Sequence, residues 1–175
     1  MSSAQFIVDC TKMTRGYSEK LVAGIRPEMA ARKPRWGFDG NEIDTNHATF
    51  ICGHLAIYPA RIYTLAGKDP KPVAVDPALE AIFKAGATCV DDPHGSVYPH
   101  WEKVVSLFFS GYDKAIEVAS KMDDKLLSTP HPDAKVRERF PTIGAATNFL
   151  LNNHVMMHMG QLSAWRRAMG LPSAM

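Results

Sequence analysis

Apolar residues recur at three- and four-residue spacing through four long stretches of this chain, the pattern of helices that turn one face to a core. β-branched residues nowhere alternate with polar ones over a useful length, so the pattern predicts an all-α protein. The first helix is expected over residues 4–24, opened by Ser2 with Gln5 three residues on and ended by Gly24 and Pro27. A loop carrying Pro34, Gly37 and Gly40 leads to a second helix over 46–66, closed by Gly67 and Pro70. The connection 68–98 is long and carries one short helix begun by Asp76 and Pro77. A third helix is expected over 99–122. After a loop at 128–141 rich in proline and charge, the fourth runs over 142–169, with Gly170 as its C-cap and Pro172 beyond. Four helices with one long crossover predict a four-helix bundle, a single domain over residues 1–175.

The fourth stretch holds the sharpest chemical signal. His154 and His158 share an apolar stripe with Thr147, Leu151, Leu162 and Trp165, so both are expected to be buried. One turn separates them, about 6 Å of rise, which lets two ring nitrogens meet one ion at about 2.0–2.1 Å. His54, in Cys52-Gly53-His54-Leu55-Ala56 of the second helix, is the best third candidate. Three neutral imidazoles with open positions describe a catalytic metal site rather than a structural one. The stripe alone leaves a second reading, two core histidines bonded to carboxylates or carbonyls. Axial depth bears on His54: its level matches the pair within about 2 Å if helices two and four are antiparallel and misses by roughly 9 Å if they are parallel. Antiparallel helices require a crossover, which 68–98 is long enough to provide.

Composition narrows the function classes. The 175 residues are 46% hydrophobic, with 20 basic against 18 acidic side chains, so there is neither a basic footprint for nucleic acid nor a polybasic patch for a membrane. No stretch approaches 18 uninterrupted apolar residues, and the first residues lack the regions of a signal peptide, so a cytoplasmic protein is expected. Cys10, Cys52 and Cys89 are odd in number and widely spaced, which fits reduced thiols.

Two motifs resemble a known family. The run His154-Val-Met-Met-His158-Met-Gly160-Gln161-Leu162-Ser-Ala-Trp-Arg166-Arg167-Ala-Met-Gly170-Leu171-Pro172 is similar to the closing signature of the DinB/YfiT-like metalloenzymes. The run Asn46-His-Ala-Thr-Phe-Ile-Cys-Gly53-His54-Leu55-Ala56 resembles their first-ligand segment. The resemblance implies an up-down-down-up bundle with one divalent metal ion (Zn, Ni or Fe) on His54, His154 and His158. It also implies a metal-dependent enzyme that acts on a small-molecule substrate, activating a low-molecular-weight thiol as an S-transferase does or a water as a hydrolase does. A module that binds metal or a small molecule without turnover is the alternative.

Other residues carry expectations of their own. Tyr58 and Gln161 fall on the metal-facing stripe and are the candidates to orient a ligand or donate to substrate. His47 lies about 10.5 Å along the axis from His54, too far to share an ion, and reads as a core or pocket-rim histidine. Asp91 and Asp92, beside Pro93 and His94, read as turn formers, while His100 and His131 receive no role. Arg166 and Arg167 are expected to complement the helix dipole in the last turn, and Gly160 to permit close helix approach. The segment 87–98 is the candidate lid over a pocket shared with Tyr58 and Gln161. Trp101, Val104, Val105, Leu107, Phe108, Phe109 and Tyr112 surround helix three more fully than one core stripe needs, which suggests a homodimer interface, the alternative being a helix covered by the long loop before it.

Overall fold

The computed structural model describes residues 1–36 and 40–174, so Gly37 of the first loop lies outside the described residues. The chain is mostly helical. Helix α1 (Ser3–Val22) opens on Ser2, whose Oγ accepts from the Gln5 N–H, and stops before Gly24 at φ +74°. A four-residue helix α2 (Pro27–Ala30) follows. An antiparallel ladder that the hydrophobic pattern did not foretell then pairs β1 (Arg35–Trp36) with β2 (Asn41–Glu42), Arg35 opposite Glu42. Two residues per strand are too few for alternation to register.

The expected second helix is two helices, α3 (Ala48–Ala56) and α4 (Pro59–Leu65). Pro59 has no N–H to donate and its ring crowds the carbonyl four residues back, so the ladder ends there. The Leu55 carbonyl accepts instead from Tyr58, in a tighter turn. Every residue of α3 is buried. His47 is not inside the helix but caps it: Nδ1 accepts from the Phe50 N–H at 3.1 Å and Nε2 donates to the Val90 carbonyl at 3.1 Å.

Helix α5 (Pro77–Phe83) is capped by Asp76 as expected, and α6 (Trp101–Ala119) is the third long helix. The segment expected as an open loop at 128–141 contains the short helix α8 (Ala134–Arg137), preceded by α7 (Asp124–Ser128). The fourth stretch begins as α9 (Ile143–Asn148) under a Thr142 cap, widens into a π-helical turn over Phe149–Asn153, and continues as α10 (His154–Ala168) before Gly170 at φ +76°.

Side-chain pairings give the helix directions. Asn152 meets Ile7 and Thr14 while Arg166 meets the carbonyls of Leu21 and Ala23, so α1 and α10 run parallel. Tyr58 lies against His154, His54 against His158, and the Trp165 indole donates to the Arg32 carbonyl, so the α3 region and α10 run antiparallel, as the depth argument required. Arg15 pairs with Asp113 and the Ser3 N–H with Asp124, which sets α1 antiparallel to α6.

One continuous apolar core joins these elements. It also accounts for the crowded third helix. Trp101, Val104, Phe108 and Tyr112 are buried, Leu107 shares a small cavity wall with Val75 and Leu79 of the crossover, and the Arg15 guanidinium covers Phe109 at 4.0 Å. The chain itself covers part of the second apolar face, where Val105, Leu107 and Phe109 are half-buried. No described helix is long and apolar enough to cross a membrane, and all three cysteines are free.

Arg166 does something other than complement its own helix dipole. It is 5% exposed, and Nη1 donates to the carbonyls of Leu21 (2.9 Å) and Ala23 (2.8 Å) while Nη2 reaches Pro172. Those are unsatisfied carbonyls at the C-terminal end of α1, so the guanidinium caps a neighbouring helix. Arg166→Ala leaves the Leu21 carbonyl buried and unpaired and takes the donor from the Ala23 carbonyl, and urea unfolding is expected to show a loss of about 2–4 kcal/mol. Arg166→Lys should recover only part of it, because an ammonium lacks the planar fork.

Candidate metal centre

Three elements deliver the cluster. His54 projects from the second turn of α3, His154 opens α10 directly after the π-turn, and His158 follows one turn later. All three are buried, and each offers one ring nitrogen within 4.8 Å of the other two. Nε2 of His154 and Nε2 of His158 are 3.1 Å apart. That is the separation of two donors bound at about 2.0–2.1 Å to one ion with roughly 100° between them.

The opposite edges of the rings show which nitrogens are available. His54 Nδ1 donates to the Phe83 carbonyl at 2.7 Å, and His158 Nδ1 donates to Gln161 Oε1 at 2.9 Å. A neutral imidazole that donates through Nδ1 carries its lone pair on Nε2, so both rings turn a lone pair inward. His154 Nδ1 is buried with no hydrogen-bond partner among the described residues, which leaves Nε2 as the nitrogen through which that ring is engaged. The donor set fits a divalent cation.

Phe83 was invisible as a site residue because it acts through a backbone carbonyl at the end of α5, where no following helical N–H claims it. Gly53 makes that approach possible: a Cβ there would overlap the Phe83 ring. Gly160, expected to be the close-approach glycine, has nothing within 4 Å of a Cβ position and is exposed. The two glycines look alike in sequence, and only the opposing helix distinguishes them.

Electrostatics keep the cluster neutral. Burial pushes all three imidazoles below their ordinary range, with His154 lowered to about 3 by burial and then by the neighbouring His158 and His54. Arg61 and Arg139 push it the same way. The Tyr58 ring lies 5.0 Å from His54 and 4.4 Å from His154, and burial raises its phenol so that it stays protonated. Gln161 bonds a ligand candidate directly and Tyr58 walls the site, so both sequence candidates sit at the cluster.

The remaining candidates lie elsewhere. His47 is fully buried among Phe50 and Tyr98, His94 and His100 are exposed, and His131 accepts from the Asp133 N–H. Asp92 shapes its own turn, accepting from the N–H groups of Ser96, Val97 and Tyr98. Burial alone would raise its pKa, but these donors hold it near 2. Asp91 instead pairs with Arg32 at 2.9 Å. The segment 87–98 is fastened by these bonds, by Val90 to His47 and by the Asp92 N–H to the Ala31 carbonyl, which makes it scaffold for the α3 N-terminus rather than a free lid.

No family model, curated protein or solved structure matches the chain.

Two measurements check this account. Gly160→Ala should stabilise the protein by up to about 1 kcal/mol, as expected of a helix-interior glycine, whereas Gly53→Ala should cost about 1–3 kcal/mol by overpacking Phe83. The second concerns pH. His47 titrates at about 4 when folded because burial disfavours its charge, against about 6.5 unfolded. The unfolded chain therefore binds more protons between these values, and stability is complete above about pH 6.5 and lost as pH falls towards 4, by about 3 kcal/mol from His47 alone. Urea midpoints at pH 7, 6, 5 and 4 in chelator should fall through that window, and His47→Asn should flatten the slope.

Proposed function

We propose that this chain is a DinB-like four-helix bundle, up-down-down-up, that holds one divalent metal ion on His54, His154 and His158 and uses it enzymatically on a small molecule. The observation that carries the reading is the convergence of three buried, neutral imidazoles with Nε2 edges inward and Nδ1 edges of two of them engaged by Phe83 and Gln161. The helix directions support the bundle topology, and the two motifs around His54 and His154 support the family. Imidazole donors suit Zn, Ni or Fe.

Bound there, a divalent ion would supply Lewis-acid activation of a thiol or a water, the chemistry of an S-transferase or a hydrolase. The chain's own part is to hold three donors without adding negative charge, so the site retains a net positive charge that favours an anionic fourth ligand. Gln161 fixes the His158 ring, the Phe83 carbonyl fixes the His54 ring, and Tyr58 presents a protonated hydroxyl on the wall that His154 shares.

Elemental analysis of the purified protein is expected to give one divalent ion per chain. His54→Ala, His154→Ala and His158→Ala should each abolish stoichiometric metal while circular dichroism stays helical, and His47→Asn should keep it. Gln161→Leu should weaken metal affinity about 10–100-fold without removing a donor. Metal content unchanged in His54→Ala would remove that residue from the ligand set. Turnover with thiols and electrophiles that depends on added metal supports the enzyme, and its absence across such a screen makes the protein a binder.

A further inference from the structure

A cavity of about 320 Å³ opens one helical turn from the cluster, walled by Leu65, Phe140, Ala146 and Leu150 with Arg61 at its edge. Leu150 precedes His154 by one turn and Arg61 follows Tyr58 by nearly one. The antiparallel pairing therefore sets the cavity about 6 Å beyond the histidines along both elements. It is the right size for a small organic ligand, and its walls are apolar.

Three guanidiniums at this end lack a carboxylate; Arg137 donates to the His131 carbonyl, and the other two rest on aromatic rings. Arg61 lies over the Tyr58 ring at 4.9 Å, and Arg139 lies between Phe140 at 5.2 Å and Phe149 at 5.1 Å. Neither pairs with an acidic side chain among the described residues, although Arg15, Arg26, Arg32 and Arg35 all do. The one carboxylate in the lining, Asp133, caps α8, its Oδ1 accepting from the N–H groups of Lys135 and Val136. The rings that hold the two arginines are those that touch His154: Tyr58 at 4.4 Å and Phe149, stacked on it at 5.6 Å. Aromatic faces fix guanidinium planes while leaving their N–H edges free, which is how arginine is presented to a carboxylate.

We infer that this cavity is the ligand site of the protein and that it takes a small monocarboxylate with an apolar body, its carboxylate held by Arg61 of the lining together with Arg139, which rests on the lining residue Phe140. The assignment deepens the metal-centre reading and rests on it for the reacting end of the ligand, but binding itself needs only the cavity and the two arginines. Charge complementarity selects the occupant, because an apolar wall with two arginines against the single capping carboxylate of Asp133 disfavours a cationic ligand and gives a neutral one nothing to anchor it.

The test compares 4-phenylbutyrate with 4-phenylbutanol by calorimetry and by chemical-shift mapping. The carboxylate should bind at the residues of this cavity at least tenfold more tightly than the alcohol. Arg61→Gln with Arg139→Gln should remove about that tenfold without affecting the alcohol. Both side chains are exposed, so the double variant is expected to fold, and circular dichroism checks it. Equal binding of acid and alcohol, binding mapped elsewhere, no saturable binding, or indifference to the double substitution would each overturn the assignment. Elemental analysis of the same protein beside the titration separates the two readings. Carboxylate binding retained in wild-type protein that carries no metal would defeat the metal centre alone, and metal bound without carboxylate discrimination would defeat this cavity alone.

Discussion

Two buried ring nitrogens 3.1 Å apart cannot present lone pairs to each other; a proton or a cation has to lie between them. The rest of the structure depends on that requirement. Desolvation makes a charged imidazole costly, so a protonated pair is an expensive answer, and a proton shared between neutral rings leaves His54 facing the same gap from a third side. A divalent ion, if bound, would satisfy all three at once. The antiparallel run of α3 against α10 brings His54 to the level of His158, and the parallel run of α1 along α10 holds that helix in place from the other side.

The crossover contributes more than connection. Its short helix α5 ends in the carbonyl that orients His54, its Val75 and Leu79 cover α6, and its segment before Tyr98 fastens the His47 cap. The residues that fix the site therefore come from segments a sequence reading treats as linkers. Phe140, from the loop before the fourth helix, completes with Tyr58 and Phe149 the ring system that places two arginines near the cluster while keeping both in water.

What was legible in the sequence follows from where each signal resides. The pair His154 and His158, the caps at Ser2 and Asp76, and the stops at Gly24 and Gly170 are local rules of spacing and backbone freedom, and they hold. His54 joined the pair through helix length and direction, which survive an error of a few residues. The break before Pro59 was also a local rule, but the apolar periodicity running through it masked the missing N–H. Arg166, Gly53 and Phe83 were not legible, because their roles are set by what faces them: carbonyls of α1, a ring of α5, an imidazole of α3. Helix α6 stays ambiguous in sequence for the complementary reason, since an apolar face looks the same whether its own chain or another one covers it.

The π-turn adds a consequence of phase. In it the His154 N–H bonds to the Phe149 carbonyl five residues back, so Phe149–Asn153 holds one residue more than α-helical winding would use. Each residue advances an α-helix by about 100°, so the extra one offsets the face of α10 from that of α9 by about that angle. The stretch before it packs on α7 and the stretch after it aims imidazoles at α3, two azimuths a single uniform winding does not serve together. The length of this stretch is thus a tuned quantity, like the number of teeth on a gear, and the imidazole pair owes its bearing to a count of residues as much as to their kinds.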